Sequence, residues 1–375
     1  MNRFRISTPE GTRDLLFSSC RALRQTENAV RDALEERGYS EIITPAVEYF
    51  DVFAQANPEL DQDQMLKIID KSGRICVARP DNTTPIARIA ATRLDDAALP
   101  VRLYYSQKVF RSVSGDHGHK GEFLQVGAEF IGADGLEADK DILTAAFAAL
   151  SKTGADNFRV ELGHAEIYKA LMDELGADAQ SAEGIRRLIE NKSFAALGDA
   201  LEPFKGKPAA KALSAMPNLF GGIEVLDEVE SLTGNVRVLG ATAYLRRLYQ
   251  ALDEAGYGDR IMIDLGLVHE MDYYTGIMFR GYIGGAGAAI LSGGRYNALC
   301  AKFGKDMPAG GFGIDVESVA DSLAGQSRPE VATRRDTVRI ALTKGRLEKK
   351  TLALLKAAGY DISELEAGTR KLIFT

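Results

Sequence analysis

Hydrophobic and polar positions near the start of the chain recur at helical spacing. Residues 21–37 bring apolar side chains such as Val30 and Leu34 to one face, and Gly38 follows where a glycine commonly ends a helix. The pattern therefore predicts an amphipathic helix over residues 21–37.

Short apolar runs separated by turn residues follow this helix. Residues 39–53 indicate an extended segment that bends at Pro45. Residues 65–79 predict two short strands joined by a turn at residues 71–73, and residues 84–94 predict a helix.

The clearest strand signal is a matched pair of alternating segments. Residues 101–111 and 122–132 both mix β-forming residues with polar residues at alternate positions, and a loop rich in glycine and histidine joins them. The pair predicts a long antiparallel hairpin with polar side chains projecting from one face.

The rest of the core alternates between a helical block and strands. A helix is predicted over residues 137–153 and a strand over residues 158–164. Ala, Leu, Glu, Lys and Arg dominate residues 165–258, which predicts a helical insertion. Strand patterns return in residues 260–266, 267–279, 288–296 and 310–319. A mostly antiparallel sheet interrupted by helices is an α+β architecture.

One of these strand segments is unusually polar. Residues 267–279, LVHEMDYYTGIMF, carry a histidine, two acids and a pair of tyrosines. Such hydrogen-bonding capacity is typical of an active site, of a binding pocket without catalysis, or of a hydrogen-bonded core.

Composition narrows the classes of function. The net charge is −7 and the pI about 5.4, which disfavours broad contact with nucleic acid. Cys20, Cys76 and Cys300 are far apart and include no CxxC, which favours a reducing compartment over disulfides or a zinc ribbon. No signal peptide or membrane span is visible, so we expect a cytoplasmic protein.

Changes in composition along the chain predict three regions. Residues 1–324 form the core with its insertion, and residues 325–336 form a polar, proline-bearing linker. Residues 337–375 predict a strand, a helix and a second strand.

Seven segments stand in the order found in histidyl-tRNA synthetases and resemble the class II aminoacyl-tRNA synthetase core. They are EGTRDLL (10–16), GYSEIITPAVE (38–48), ARPDNTTPIAR (78–88), QKVFRS with EFLQVGAEFIG (107–132), LVHEMDYYTG (267–276), LSGGRYNAL (291–299) and GFGIDVES (311–318). The resemblance spans roughly residues 8–320 apart from the insertion. It implies an antiparallel sheet flanked by helices and a dimer built partly on the segment around Pro45.

The resemblance also implies a histidine pocket. Asp81, in place of the family's glutamate, and Thr83 would face the ligand's ammonium group, and Gln125 would bridge ammonium and carboxylate. Glu129 and Tyr274 match the groups that hold the imidazole ring, which needs a partner for each nitrogen.

Three more residues complete the candidate ligand-binding set, each with an alternative. Tyr273 lines the pocket or is a half-buried strand residue. Arg111 holds an anion or pairs with an acid such as Glu122. Arg295 lies near the ligand at a tight turn of residues 293–295, or that turn is purely structural.

Several residues that would handle ATP in the family are replaced in this sequence. His269 and Glu270 stand where the synthetases have arginine and glycine, and a histidine does not replace a guanidinium fork. Val113 replaces the acid that meets adenine, and Ser318 replaces an arginine that contacts the phosphates. Arg111 remains. We therefore predict no catalytic residue, no cofactor and no metal site, since the H-x-H at residues 117–119 lacks further ligands.

The C-terminal residues 337–375 also differ from the synthetases. About 40 residues stand where a synthetase has its anticodon-binding domain, and RIALTKGRLEKKTLALLKAAGYD resembles the opening of catalytic ATP phosphoribosyltransferase, although a generic α/β start is the alternative. A synthetase-like core of this kind resembles the regulatory subunit of ATP phosphoribosyltransferase. That resemblance implies a short-form catalytic subunit as partner, a homodimer within a hetero-octamer, histidine as feedback ligand, and binding to neither tRNA nor membrane.

Two other functions stay open at this point. One is an active histidyl-tRNA synthetase or another amino-acid-adenylating enzyme. The other is a synthetase-like amino-acid sensor that acts on a different partner.

Overall fold

The computed structural model describes residues 8–56, 65–94, 97–112, 120–268, 274–326 and 348–357. The chain forms two compact units, Met1–Gln326 and Ser327–Thr375. In the second unit the described element is a single helix at residues 348–357. The strands predicted on either side of it lie outside the described residues, as does most of the predicted linker.

The helices are α1 Ser18–Glu35, α2 Phe50–Ala56, α3 Thr83–Arg93, α4 Leu136–Lys152, α5 Ala165–Leu175, α6 Ala179–Glu190, α7 Phe194–Leu201, α8 Pro208–Ala215, α9 Val225–Leu232, α10 Val236–Glu254, α11 Val316–Gln326 and α12 Glu348–Ala357. The strands are β1 Ser40–Glu41, β2 Val47–Tyr49, β3 Lys67–Ile69, β4 Ile75–Ala78, β5 Val101–Phe110, β6 Glu122–Ile131, β7 Arg159–His164, β8 Phe220–Gly221, β9 Ile261–Asp264, β10 Ile277–Tyr282, β11 Leu291–Arg295 and β12 Ala309–Asp315.

A nine-stranded sheet organises the first unit. Its order is β1-β5-β6-β12-β11-β10-β7-β9-β8. The β1–β5 and β7–β9 pairs are parallel, and the remaining neighbours are antiparallel. A second sheet has the order β2-β4-β3. The predicted α+β class, with an antiparallel-dominated sheet and flanking helices, is confirmed.

The period-two pattern of the hairpin sorts its side chains onto two faces. On β6, Val126 and Ala128 belong to the main core, against which α1, α4 and α11 pack. Gln125 and Glu129 project to the opposite face because successive side chains of a strand alternate. That second face is covered by α3, whose Ile86 and Ala90 are buried there.

The predicted helical insertion corresponds to α5–α10. Its apolar side chains join the main core, and Leu245, Leu248 and Leu252 of α10 are fully buried. A short strand inside it, β8, pairs with β9 and extends the sheet, a feature that the helical composition does not indicate.

Four local predictions are wrong. Residues 50–53, predicted as extended, open helix α2, whose buried Phe53 and Ala56 are spaced by one helical turn. Residues 293–295, predicted as a tight turn, lie within β11, which is hydrogen-bonded on both sides. Within 267–279 the described strand begins only at Ile277, and residues 316–319 already belong to α11.

The glycines explain why β11 is a strand despite its composition. A Cβ at Gly293 would lie 2.4 Å from the Gly311 carbonyl oxygen and 2.5 Å from the Phe279 ring. Glycine is therefore required by close packing, not by a turn.

Candidate functional site

A cavity of about 140 Å³ lies on the sheet face beside α3. A cavity of this volume accommodates a single small ring. Its walls are Asp81, Thr83, Tyr105, Arg111, Gln125, Tyr274, Ser292, Gly293, Tyr296, Gly311, Phe312 and Gly313. Five of the predicted ligand-binding residues, Asp81, Thr83, Arg111, Gln125 and Tyr274, are thus brought together.

The loop before α3 positions the first acid. The Asp81 carboxylate accepts hydrogen bonds from the Thr84 backbone N–H at 2.7 Å and the Thr84 hydroxyl at 3.2 Å. These bonds fix the start of the helix in the manner of a capping residue. Burial raises the pKa of Asp81, opposed by the bonds from Thr84 and by the charge of Arg111.

Glu129 is the most deeply buried acid of the site. Its side chain is inaccessible to solvent and accepts hydrogen bonds from the Thr83 hydroxyl at 2.7 Å and from the Tyr296 hydroxyl. Burial raises the pKa of Glu129 to about 8, and the two hydroxyls and the nearby Asp81 modify that shift. A carboxyl in this setting holds its proton near neutral pH unless a cationic or hydrogen-bonding ligand approaches.

Gln125 lies four residues before Glu129 on the same face of β6. Its side-chain oxygen accepts from Asn82 Nδ2 at 3.1 Å and from the Tyr105 hydroxyl at 3.0 Å. The amide is therefore held in one orientation, with its nitrogen free to act as a donor.

Glycines of β12 make room for both polar side chains. A Cβ at Gly311 would lie 1.8 Å from Glu129 Oε2, and one at Gly313 would lie 2.5 Å from Gln125 Nε2. The cavity floor is therefore backbone. Gln125 lines the cavity, whereas Glu129 is buried and is connected to it by its bonds to the lining residues Thr83 and Tyr296.

Tyr274 forms the wall opposite α3. Its buried ring lies against Gly294, where a Cβ would be 2.6 Å from the ring. The backbone carbonyl oxygen of Tyr274 accepts a hydrogen bond from Lys169 Nζ of α5 at 2.7 Å. Tyr273, also predicted for the site, lies outside the described residues, together with His269 and Glu270.

Arg111 lies at the solvent-exposed rim of the cavity. Its guanidinium lies over the Phe123 ring at 5.7 Å from the ring centroid. The alternative partner, Glu122, instead forms an ion pair with Lys108. Within the described part of the chain, no carboxylate forms an ion pair with Arg111.

Arg295 is placed away from the cavity. Its guanidinium is buried and donates to the Asp139 carboxylate at 2.5 and 2.8 Å and to the Ala133 carbonyl oxygen at 2.7 Å. This arrangement corresponds to the structural alternative, although within a strand and not a turn.

Sequence reasoning missed two tyrosines of the site. Tyr105 bonds Gln125, and Tyr296 bonds Glu129. Tyr105 could have been found because it pairs with Gly127, which lies between Gln125 and Glu129 on β6, so that strand alternation puts all of them on one face. Tyr296 stands directly after Arg295 in the segment LSGGRYNAL, and nothing in that segment indicates a bond to Glu129.

The region where a synthetase binds ATP phosphates carries paired charges. Lys120 bonds both carboxylate oxygens of Asp315, at 2.9 and 3.1 Å, and the Ser318 hydroxyl at 2.8 Å. Arg13 donates to Asp321 at 2.6 Å and lies 3.5 Å from Glu317. Ser318 therefore belongs to a self-contained network at the start of α11. Val113 lies outside the described residues.

The described residues offer neither a metal site nor a membrane-spanning helix. No group of His, Cys, Asp and Glu side chains there is placed to hold a metal ion. No helix among them is long and apolar enough to cross a membrane. His117 and His119 are not among these residues.

Comparison with known proteins agrees with the geometry. Residues 11–319 match the family model of histidyl-tRNA synthetase. An ATP phosphoribosyltransferase regulatory subunit of Clostridium kluyveri is 41% identical over 326 residues, which cover 86% of this chain and 83% of the relative.

Solved structures of related proteins share the fold. An ATP phosphoribosyltransferase regulatory subunit/histidyl-tRNA synthetase of Bacillus halodurans superposes with a TM-score of 0.78 at 31% identity, covering 86% of this chain and 84% of that one. A Nostoc histidyl-tRNA synthetase, at 21% identity and a TM-score of 0.71, covers 96% of this chain and 85% of its own and shares the fold.

Proposed function

Because this chain belongs to the family of ATP phosphoribosyltransferase regulatory subunits, we propose that it activates a short-form catalytic subunit and conveys feedback inhibition by histidine. Its role is then regulatory and lies in the first step of histidine biosynthesis, in the cytoplasm.

The cavity beside α3 is the observation that carries this proposal. Three groups of its lining match parts of a histidine molecule: Asp81 for the ammonium, and Gln125 and Arg111 for the carboxylate. We assign the imidazole N–H to Glu129, a buried acid that is bonded to the lining residues Thr83 and Tyr296. The cavity volume suits one small ring with a short polar arm.

Loss of synthetase activity is the second part of the proposal. In the Lys120–Asp315–Ser318 network the ammonium is already paired with a carboxylate, so it offers ATP phosphates no unpaired cation. Arg111 alone would have to meet the charge that develops during adenylate formation.

A homodimer within a hetero-octamer completes the proposal. The segment around Pro45 and the adjoining β2-β4-β3 sheet expose apolar side chains, among them Ile43, Ile69 and Ile75 at 77%, 74% and 49% of their full accessibility. Exposed apolar surface of this kind favours association with a second copy.

Reconstitution tests the function. The full chain is mixed with a short-form ATP phosphoribosyltransferase, and phosphoribosyl transfer is measured with and without histidine. We expect the chain to switch the activity on and histidine to switch it off. No activation, or activation that histidine does not affect, would refute the proposal.

An active synthetase is the rival that the cavity also favours, because amino-acid recognition is common to both functions. Pyrophosphate exchange with histidine and ATP distinguishes them. We expect no exchange above the rate without enzyme, and clear turnover would favour the rival.

A further inference from the structure

The helical insertion makes a direct bond to the cavity wall. Lys169, on the first insertion helix α5, donates to the Tyr274 carbonyl oxygen at 2.7 Å. The Tyr274 ring lines the cavity, so the ammonium holds a wall residue from outside. The bond joins residues that are 105 positions apart in the chain.

A second connection runs from the same insertion through a buried ion pair. The Tyr244 hydroxyl of α10 donates to Asp139 Oδ2 at 2.6 Å, and Arg295 donates to Asp139 Oδ1 at 2.5 Å. The side chains of Arg295 and Asp139 are 2% and 3% exposed. A charged pair so deeply buried tolerates little displacement of either partner.

The two connections end on Tyr274, which lines the cavity, and on Arg295, which directly precedes the lining residue Tyr296. The Arg295 carbonyl oxygen accepts from the Thr275 backbone N–H at 2.8 Å, which ties β11 to the residue after Tyr274. On the other side of Arg295, Tyr296 bonds Glu129 inside the site. Tyr274 and Tyr296 therefore line the cavity, and their chain neighbours Thr275 and Arg295 join them to each other. Residues 274–275 and 295–296 are called the wall below.

We infer that the helical insertion senses whether the cavity is occupied, through the Lys169–Tyr274 bond and the Arg295–Asp139–Tyr244 triad. The identity of the ligand rests on the proposed function. Lys169 and Tyr244 act as positioning residues, because Lys169 bonds Tyr274 of the wall and Tyr244 bonds Asp139, which holds Arg295.

Coupling would arise because the wall residues are bonded both to Glu129 inside the site and to the insertion. A ligand that moves Tyr274 or withdraws Tyr296 from Glu129 must also strain or shift the bonds outside. Such a change transmits coupling only if the two arrangements bind the ligand with different free energies. The insertion would then favour one arrangement when the partner is bound.

The test compares the full-length chain alone and in complex with the catalytic subunit. Histidine affinity is measured by calorimetry in both states, and hydrogen exchange of residues 165–254 is followed with and without histidine. The variants are Lys169→Met, Tyr244→Phe and the double variant. The controls, Lys211→Met on α8 and Tyr249→Phe on α10, alter the same residue types within the insertion, away from the wall.

In the unmodified chain we expect the two histidine affinities to differ and exchange in the insertion to change on binding. In the double variant we expect the ratio of the affinities to approach one and the exchange response to disappear. Histidine should still bind the free variant within about tenfold of the original affinity, since neither Lys169 nor Tyr244 lines the cavity. The controls should keep both signals.

Two results would overturn the inference, and they differ in meaning. If the unmodified chain binds histidine and the double variant keeps its ratio and its exchange response, the insertion is not the sensor while the proposed function stands. If the unmodified chain binds no histidine, the proposed function fails together with this inference.

Discussion

Two neighbouring regions of the same sheet hold their polar side chains in opposite ways. Around the cavity, Asp81, Gln125 and Glu129 are bonded by neutral hydroxyl, amide and backbone groups, and space remains in front of them. At the start of α11, Lys120 and Asp315 neutralise each other directly. Within the described residues, the carboxyl groups of Asp81 and Glu129 have hydrogen bonds but no ion pair, whereas the carboxylate of Asp315 is paired with Lys120.

Under the proposed function, this difference distinguishes recognition of the amino acid from its activation by ATP. A buried carboxyl without a cation raises the free energy of the empty site, which a ligand of opposite charge can lower. A paired network gives an incoming phosphate nothing to bind. The contrast is what the proposed function requires of a site that recognises an amino acid without handling a nucleotide.

The largest expected effect concerns pH and Glu129. Its pKa is raised from 4.5 to about 8, so the folded state holds the proton more tightly than the unfolded state. Stability is therefore fully present below pH 4.5 and falls as pH rises towards 8. For the ligand-free chain we expect this group to lose roughly 3–4 kcal/mol of unfolding free energy between pH 5 and 8.

Glu129→Gln isolates that effect, because the amide keeps the shape without titrating. Denaturant unfolding of both proteins across this range should give a difference that shrinks steadily as pH falls. Other groups cancel in the subtraction, including His164, whose pKa burial lowers to about 4. Parallel stability curves would mean that Glu129 is not desolvated as described.

The next effect concerns the ammonium end of the cavity. Asp81→Asn keeps an acceptor for the Thr84 N–H and removes the charge. We expect calorimetry to show histidine affinity lower by roughly 10–100-fold, since a hydrogen bond to a charged group contributes about 1.5–3 kcal/mol.

Asp178→Asn is the matched control for that substitution. Asp178 caps α6 through the same two bonds, from the Ser181 N–H at 2.9 Å and hydroxyl at 3.0 Å, on an exposed surface. The Asp178→Asn variant should bind histidine with the same affinity as the unmodified chain. Equal losses in both variants would trace the effect to helix capping and not to the ligand.

The smallest effect belongs to α11. Lys120→Met removes the ammonium from a partly exposed pair and should cost about 0.5–1 kcal/mol in thermal or denaturant unfolding. Histidine affinity should not change. A tenfold loss of affinity would join the two regions into one site and remove the contrast between them.

Much of the fold is predictable because its signals are local. The hairpin β5–β6, the helix α3 and the polar face of β6 follow from spacing along the chain, as period-two and helical patterns do in general. The acids and the amide of the cavity follow from motifs in a fixed order.

The remainder depends on contacts between distant residues. Arg295 and Asp139 are 156 positions apart, and nothing beside Arg295 in the sequence indicates a buried acid as its partner. The glycines of β11 suggested a turn because glycine weakens strands, and only the packing of Phe279 and Gly311 reveals their strand role. Tyr273 and the altered positions 269–270 lie outside the described residues, so their place in the pocket stays a prediction.

The glycine floor determines where this pocket can be redesigned. At Gly311 and Gly313 even a methyl group would collide with Glu129 or Gln125, and at Gly293 it would collide with the backbone of β12. A pocket for a larger or differently charged amino acid must therefore be shaped from β6, from the loop before α3 and from Tyr274. The residues that determine selectivity are few, and a library restricted to them would search the accessible specificities without disturbing the sheet.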